Sequence, residues 1–498
     1  MNVNPITRLD YPDPDVIRVE DTYYMVSTTM HFMPGCEILQ SFDLVHWEHV
    51  TYVYETLDHT DAQQLKSGQN IYGQGMWAAS LRYHEGRFYI CFVANDTRKT
   101  YLYTSEKVSG PWKKQLIEGF YHDGSLLFDE DGRNYIVYGN DEIWITELNE
   151  DLTAPKKDGL HRLLVSDHKN PELGYEGSHI QKINGYYYIF LIHSLRDRWM
   201  RTEACFYSDS LEGEFTGGDV LCDDRGYCGQ GVAQGGIVDT PDGKWYAMLF
   251  QDSGAVGRIP ILLPVTWKDH FPVFGQNGHV PEEIEVHSTR PGYIYQPLVG
   301  SDDFCNGLLP RWQFNHDPDP RYYHLDALQG TYTITTREVC TELTQAVNTL
   351  TQRMSYPSCA AEVTVDASAL KEGDVAGLCA LQGCYAAVGI TKHHGKYEVL
   401  MLDKKEDGIL DMTEGTVVES HQMDFRLEAD FCNMKDEARC YYRVNKGDWL
   451  PIGTVHKLYF KLDHFTGCRF GLFCYAAEET GGSACFRDFK YYDVDEIS

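Results

Sequence analysis

Three carboxylates, Asp13, Asp123 and Glu176, stand at matching places in a repeated phrase of this 498-residue chain. Carboxylates so arranged can cleave an acetal with water. Two of them facing each other across a pocket are the minimum for hydrolysing a glycosidic bond: one protonates the leaving oxygen, the other activates water or attacks carbon. A third ionised carboxylate nearby raises the pKa of the proton donor and keeps it protonated near neutral pH. The places match when counted back from a tight turn. Asp13 precedes Asp21 by eight residues, while Asp123 and Glu176 precede Gly132 and Gly185 by nine. Trp77 and Gln234 fall nine residues before Gly86 and Gly243 in the same way.

Each turn is followed by an aromatic strand: Thr22-Tyr23-Tyr24-Met25-Val26, Arg87-Phe88-Tyr89-Ile90-Cys91, Asn134-Tyr135-Ile136-Val137, Tyr186-Tyr187-Tyr188-Ile189-Phe190 and Trp245-Tyr246-Ala247-Met248. Alternating residues around an Asn-Gly or Asp-Gly pair make a β-hairpin, and five such hairpins predict five blades. The turns are 65, 46, 53 and 58 residues apart, spacings that fit four-stranded blades, with the longest insertion between Thr51 and Gly75. In a propeller the innermost strands all start at one rim of the central channel, so Asp13, Trp77, Asp123, Glu176 and Gln234 are expected to line one funnel. The competing reading of each residue alone is structural: a Pro-Asp-Pro turn for Asp13, an Asx turn for Asp123. Asp15, two residues along the strand from Asp13, should sit deeper in the channel and meet backbone or a neighbouring blade.

From Ser301 the repeat gives way to short strands between Gly, Asp and Asn turns, such as Ala361-Glu362-Val363-Thr364-Val365 and Cys468-Arg469-Phe470-Gly471-Leu472-Phe473. That pattern belongs to an antiparallel sandwich. The expected fold is all-β: a five-bladed β-propeller over residues 1–300, then a β-sandwich over 301–498 that packs beside the funnel. A net charge of -31 disfavours nucleic acid and anionic membrane surfaces as partners. The first residues lack the basic and apolar segments of a signal peptide, and fifteen cysteines carry no zinc-type spacing, so a cytoplasmic protein with reduced thiols is expected. A homo-oligomer remains open.

The blocks Tyr11-Pro12-Asp13-Pro14-Asp15, His122-Asp123-Gly124-Ser125-Leu126-Leu127-Phe128 and Glu176-Gly177-Ser178-His179, the last followed by Asn184-Gly185-Tyr186-Tyr187-Tyr188, resemble the three signature blocks of family 43 of the glycoside hydrolases. Ser301-Asp302-Asp303-Phe304, Trp312-Gln313-Phe314-Asn315 and Asn348-Thr349-Leu350-Thr351-Gln352-Arg353 resemble the sandwich of its β-xylosidase and α-L-arabinofuranosidase branches, so the resemblance covers the whole chain. It implies an enzyme that inverts the anomeric carbon and releases xylose or arabinose from plant oligosaccharides. By position, Asp13 would be the general base, Glu176 the general acid, and Asp123 the residue that tunes and holds the acid. Trp77, in a block where Ala79 replaces the usual proline, would wall the sugar ring, and Arg258 would bind its hydroxyls, with a structural ion pair as the alternative. Phe32 resembles a second wall, with a buried loop anchor as the alternative, and Gln234 joins the substrate-binding candidates.

Many relatives hold an axial calcium near a histidine before a Gln-Gly-Gly block. Here Ala233 takes that place before Gln234-Gly235-Gly236, which argues against a metal site and leaves the chemistry to the carboxylates. Two other readings compete: a non-catalytic carbohydrate-binding propeller, which would lack an acid or a base, and a sucrose- or fructan-cleaving propeller, which would carry an Asn-Asp-Pro block where this chain has Tyr11-Pro12-Asp13-Pro14.

Overall fold

Both two-residue turns at Glu85-Gly86 and Asn184-Gly185 place both central residues at positive φ, the geometry whose twist matches the flanking strands. Each therefore returns its strand onto the one before. In the computed structural model, which describes residues 2–413 and 415–493, this happens five times, and each hairpin gains two further antiparallel strands.

Blade 1 comprises Asp15–Val19, Thr22–Ser27, Gly35–Ser41 and Glu48–Tyr54, and blade 2 Met76–His84, Arg87–Ala94, Lys99–Ser105 and Lys113–Ile117. Blade 3 runs Ser125–Phe128, Asn134–Asn140, Glu142–Leu148 and His161–Ser166. Blade 4 runs Glu176–Ile183, Tyr186–Ser194, Arg201–Ser208 and Thr216–Leu221, and blade 5 Val232–Asp239, Trp245–Asp252, Arg258–Lys268 and Phe271–Phe274. Among the described residues no strand is exchanged between blades to close the ring. Instead Asn4 is sewn to blade 5 by both ends of its amide, donating to the Leu262 carbonyl at 2.7 Å and accepting from the Leu262 N–H at 3.1 Å. Arg18 of blade 1 donates to Asp239 of blade 5 at 3.1 Å.

The channel core is polar and self-satisfied. Asp15 Oδ2 accepts from the Leu81 N–H and from Arg82, each at 2.7 Å, and its Oδ1 lies 3.1 Å from His179 Nδ1. Burial would raise the Asp15 carboxyl; Arg82 and then His179 outweigh it and hold it below the usual carboxylate range. Arg82 also donates to Ser125 at 2.7 Å, to the Leu126 carbonyl at 2.8 Å and to the Ile180 carbonyl at 3.2 Å, so one guanidinium ties blade 2 to blades 1, 3 and 4.

The second unit stacks two sheets. One includes Ser358–Asp366, Gln422–Asp430, Glu437–Val444 and Ser483–Asp493; the other includes Leu350–Arg353, Asp374–Leu381, Ala386–His393 and Arg469–Ala476. Val363, Leu378, Val388, Phe425, Leu472 and Phe486 fill the space between them. Two features fuse this sandwich to the propeller. The two-residue strand Phe32–Met33 leaves blade 1 to pair with Gln313–Asn315 at the sandwich edge, and Ala255, Val256 and Ile259 of blade 5 join the sandwich's apolar core. The long connection after blade 1 serves the same seam: His59 meets Asp317 at 2.8 Å, and Tyr72 donates to the Thr344 carbonyl at 2.6 Å. Among the described residues no helix is long and apolar enough to cross a membrane.

Candidate active site

A regular strand alternates its side chains between faces, so aiming five strand starts into one funnel takes a local break. Asp13, Asp123 and Gln234 adopt left-handed φ of 52°, 48° and 61°. The innermost strands of blades 2, 4 and 5 carry bulges at Met76/Ala79, Glu176/His179 and Ala233/Gly236; these take Trp77 and Gln234 out of the ladder and follow directly on Glu176, which stays paired with Ile192. Gly177, at φ +66°, is required beside Glu176: a Cβ there would lie 2.8 Å from the Gln234 side chain.

The three carboxylates meet at the top of the channel in different surroundings. Asp13 is buried and doubly bonded, accepting from Thr28 Oγ1 at 2.6 Å and from Arg258 Nη1 at 2.9 Å. Asp123, also buried, accepts from the Gly177 N–H at 3.0 Å and so fixes the backbone next to Glu176. Glu176 is the most open of the three, and Asn140 Nδ2 donates to its Oε2 at 2.9 Å. His122 Nε2 lies 3.5 Å from both Asp123 Oδ2 and Glu176 Oε2. Burial, reinforced by the charges of Glu176 and Asp13, pushes the Asp123 carboxyl up to about 6 in spite of His122. For His122, burial opposes the charged form, but Asp123, then Glu176 and Asp13, win and raise it to about 9. The site thus keeps a carboxyl that can hold a proton near neutrality beside a cation that offsets the crowded negative charge.

Above this floor lies a cavity of about 490 Å3 whose walls come from both domains. The propeller contributes Trp77, His122, Asn140 and Glu176; a sandwich loop contributes Phe460, Lys461, Leu462 and Phe465. The Phe465 ring sits 5.5 Å from that of Trp77 and 4.4 Å from the Arg258 guanidinium, bridging floor and wall. The Trp77 Nε1 and the Arg258 Nε and Nη2 donors are buried without a protein partner. Unpaired buried donors are costly, and here a ligand's hydroxyls would satisfy them.

Trp77 and Arg258 therefore stand at the site, and Arg258 both pairs with Asp13 and keeps free donors. Phe32 requires correction. It is 1 % exposed, packed with sandwich residues Leu343, Val375 and Phe473, and its ring lies 3.5 Å from the Arg469 guanidinium. Its pairing with the sandwich edge turns it into the domain seam, away from the cavity. Gln234 lies behind the wall: it is 4 % exposed, packs against Gly177 and donates its N–H to Glu203 at 2.7 Å, supporting the Glu176 bulge from beneath rather than lining the cavity. Sequence reasoning did not name His122, although it precedes Asp123 in the quoted block. It also missed Asn140 and the sandwich loop, which only tertiary packing brings to the funnel.

The channel does not fit a calcium ion. Ala233 offers no ligand atom, and the oxygens of Asp15 and Ser125 are taken up by Arg82, which supplies the positive charge there itself. Among the described residues one group of metal-type donors converges, His122 with Asp123 and Glu176.

The model for glycosyl hydrolases family 43 matches residues 3–272, more than half of the chain. The chain belongs to that family. A second model, the β-xylosidase C-terminal concanavalin A-like domain, matches residues 301–492. A solved structure titled as a bifunctional GH43-CE protein of Bacteroides eggerthii superposes on the whole chain at 42% identity with a TM-score of 0.92; the chain spans 64% of that protein's length. Among curated proteins, a β-xylosidase of Formosa agariphila is 26% identical over 99% of this chain and 89% of its own. A non-reducing end α-L-arabinofuranosidase of Bacteroides ovatus is 25% identical over 66% of this chain and 63% of its own. This family 43 chain is a glycoside hydrolase.

Proposed function

We propose that the enzyme is an inverting, exo-acting glycosidase that releases xylose or arabinose from the ends of plant-derived oligosaccharides, as a β-xylosidase, an α-L-arabinofuranosidase or both. The observation that carries this reading is the convergence of Asp13, Asp123 and Glu176 beneath one cavity that the sandwich loop walls on one side. A cavity walled in this way suits a chain end better than the middle of a polymer.

Asp13, oriented by Thr28 and Arg258, accepts a proton from water as the water oxygen attacks the anomeric carbon. Glu176 gives its proton to the glycosidic oxygen as the carbon–oxygen bond breaks. Base and acid come from blades 1 and 4, which are not neighbours in the ring, and this supports the separation of roughly 6.5–9.5 Å that leaves room for water in an inverting site. Asp123 is a positioning residue, holding Gly177 and sharing with Glu176 a site where two full negative charges repel. No step is assigned to a metal. All fifteen cysteines are free, which suits a reducing compartment and supports action in the cytoplasm on imported oligosaccharides.

The decisive experiment follows the anomeric proton by NMR during hydrolysis of a panel of aryl pentosides. The first-formed sugar should have the anomeric configuration opposite to that of the substrate; retention would overturn the assignment of Asp13 as base.

A further inference from the structure

Glu203, on the third strand of blade 4, is a fully buried carboxyl group that takes no part in the chemistry above. Its Oε2 accepts the Gln234 N–H at 2.7 Å, and its Oε1 is buried with no partner. Burial pushes this carboxyl well above the usual carboxylate range, against the pull of that one N–H. A buried carboxyl with a single hydrogen bond is costly, and an apolar side chain would spare the fold that cost. The group that needs it is the Gln234 N–H. The bulge between Ala233 and Gly236 takes Gln234 out of the ladder, in left-handed backbone with a φ of 61°, so its N–H has to find an acceptor outside the strand pair. Glu203 supplies one from the neighbouring blade.

Gln234, so held, fills the space beneath Gly177: a Cβ on Gly177 would meet the Gln234 side chain at 2.8 Å and Ile192 at 3.0 Å. On its other side Gly177 donates its N–H to Asp123 at 3.0 Å. The residue next to the general acid is thus fixed by a hydrogen bond from blade 3 and by contact from blade 5. Glu203 also shares a row with the acid, since Glu176 faces Ile192 and Ile192 faces Glu203 across blade 4. Two strand spacings put their backbones about 10 Å apart. Glu203 therefore reaches Glu176 through Gln234 and Gly177 and does not touch the reacting atoms.

Resting on the glycosidase reading above, we propose that Glu203 is a positioning residue for the general acid: by accepting the Gln234 N–H it holds the Gln234 side chain against Gly177, and so fixes where Glu176 presents its carboxyl. The test separates acid placement from a general loosening of the site. For each enzyme, kcat/KM is measured on a pentosyl disaccharide, whose leaving group needs a proton, and on an aryl pentoside whose leaving group does not. Glu203→Leu should lower the ratio of disaccharide to aryl pentoside about tenfold, part of the roughly 10²–10⁴-fold that general acid catalysis supplies in full. Gln234→Ala keeps the N–H bond to Glu203 but removes the side chain beneath Gly177, and should lower the ratio in the same direction. It carries the test should Glu203→Leu fail to fold. Glu203→Gln retains an acceptor oxygen of the same reach and should keep the ratio near that of the wild type. An unchanged ratio in either folded variant, including a parallel loss on both substrates, would overturn the proposal, as would a ratio in Glu203→Gln as low as in Glu203→Leu. Glu176→Gln is the reference: if it leaves the ratio unchanged, the assignment of the acid itself falls.

Discussion

Replacing Arg353 by Met tests whether the second domain holds the catalytic floor in place. Arg353 is 4 % exposed at the end of a sandwich strand, with its Nη1 2.9 Å from Glu37 Oε2 in blade 1, and Glu37 is 2 % exposed. Its Nε donates to the Asp10 carbonyl at 2.9 Å and its guanidinium lies 4.1 Å over the Tyr11 ring, two residues before Asp13. Burial would raise the Glu37 carboxyl, but Arg353 and then His49, 3.0 Å away, hold it below the usual carboxylate range. A group depressed in this way contributes stability above its unfolded pKa, and the contribution is lost as pH falls through the folded value. Removing the partner strands a buried charge, so Arg353→Met should cost about 3–5 kcal/mol, a large part of the roughly 5–15 kcal/mol of a typical domain. Adding Glu37→Gln to the variant removes the stranded charge and should restore much of that loss. Urea unfolding at pH 7.5 reads the stability, and kcat at the same pH should fall in the single variant as the Asp10–Asp13 segment loosens. A single-variant cost under about 1 kcal/mol, or a double variant no better than the single, would refute the reasoning.

Glu176→Gln should lose most activity on natural glycosides and far less on aryl pentosides whose leaving group departs without a proton, whereas Asp13→Asn should lose both; equal losses on both substrates in Glu176→Gln would remove the acid from Glu176. His122 gives a pH signature of the opposite sign to Glu37. Raised to about 9 in the folded chain from its ordinary 6.5, it contributes stability that is present below 6.5 and lost as pH rises through 9, about 3 kcal/mol at full extent. The difference in unfolding free energy between wild type and His122→Gln should shrink across that window, and a constant difference would show that Asp123 and Glu176 do not hold the histidine charged.

What the sequence disclosed followed the repeat. Asp13, Trp77, Asp123 and Glu176 could be placed because each sits a fixed count from a turn whose residues, such as Asn184 and Gly185, need positive φ. The same count misjudged Gln234: its bulge falls at the same place as that of Trp77, and what sets it apart is its packing against Gly177 of the neighbouring blade. Phe32 was misread for a different reason. Its loop belongs to blade 1 in sequence, but its two-residue strand pairs with a partner nearly 300 residues away, and no local pattern encodes that choice. Phe460, Leu462 and Phe465 were illegible on the same grounds: their loop lies outside the repeat, and only the docking of two domains makes it a wall.

That division has a physical consequence for how such an enzyme can change. The floor is assembled by repetition, so Asp13, Asp123 and Glu176 are fixed by the same hairpin geometry that closes the ring. The mouth is assembled by contact between unlike parts, and it is tied to the floor at few points. Asp10 is one of them: its Oδ1 accepts from the Arg258 N–H and its Oδ2 from the Gly467 N–H, each at 2.8 Å, joining the arginine that pairs with Asp13 to the sandwich loop. Gly257, at φ +107°, permits that approach, since a Cβ there would come within 2.3 Å of the Asp10 carboxylate. Substitutions at Leu462 leave this tie untouched, so that wall of the cavity can change without moving the carboxylates beneath it. Changes at Asp10 or Gly257 cannot be so contained, because they move the cap and Arg258 together.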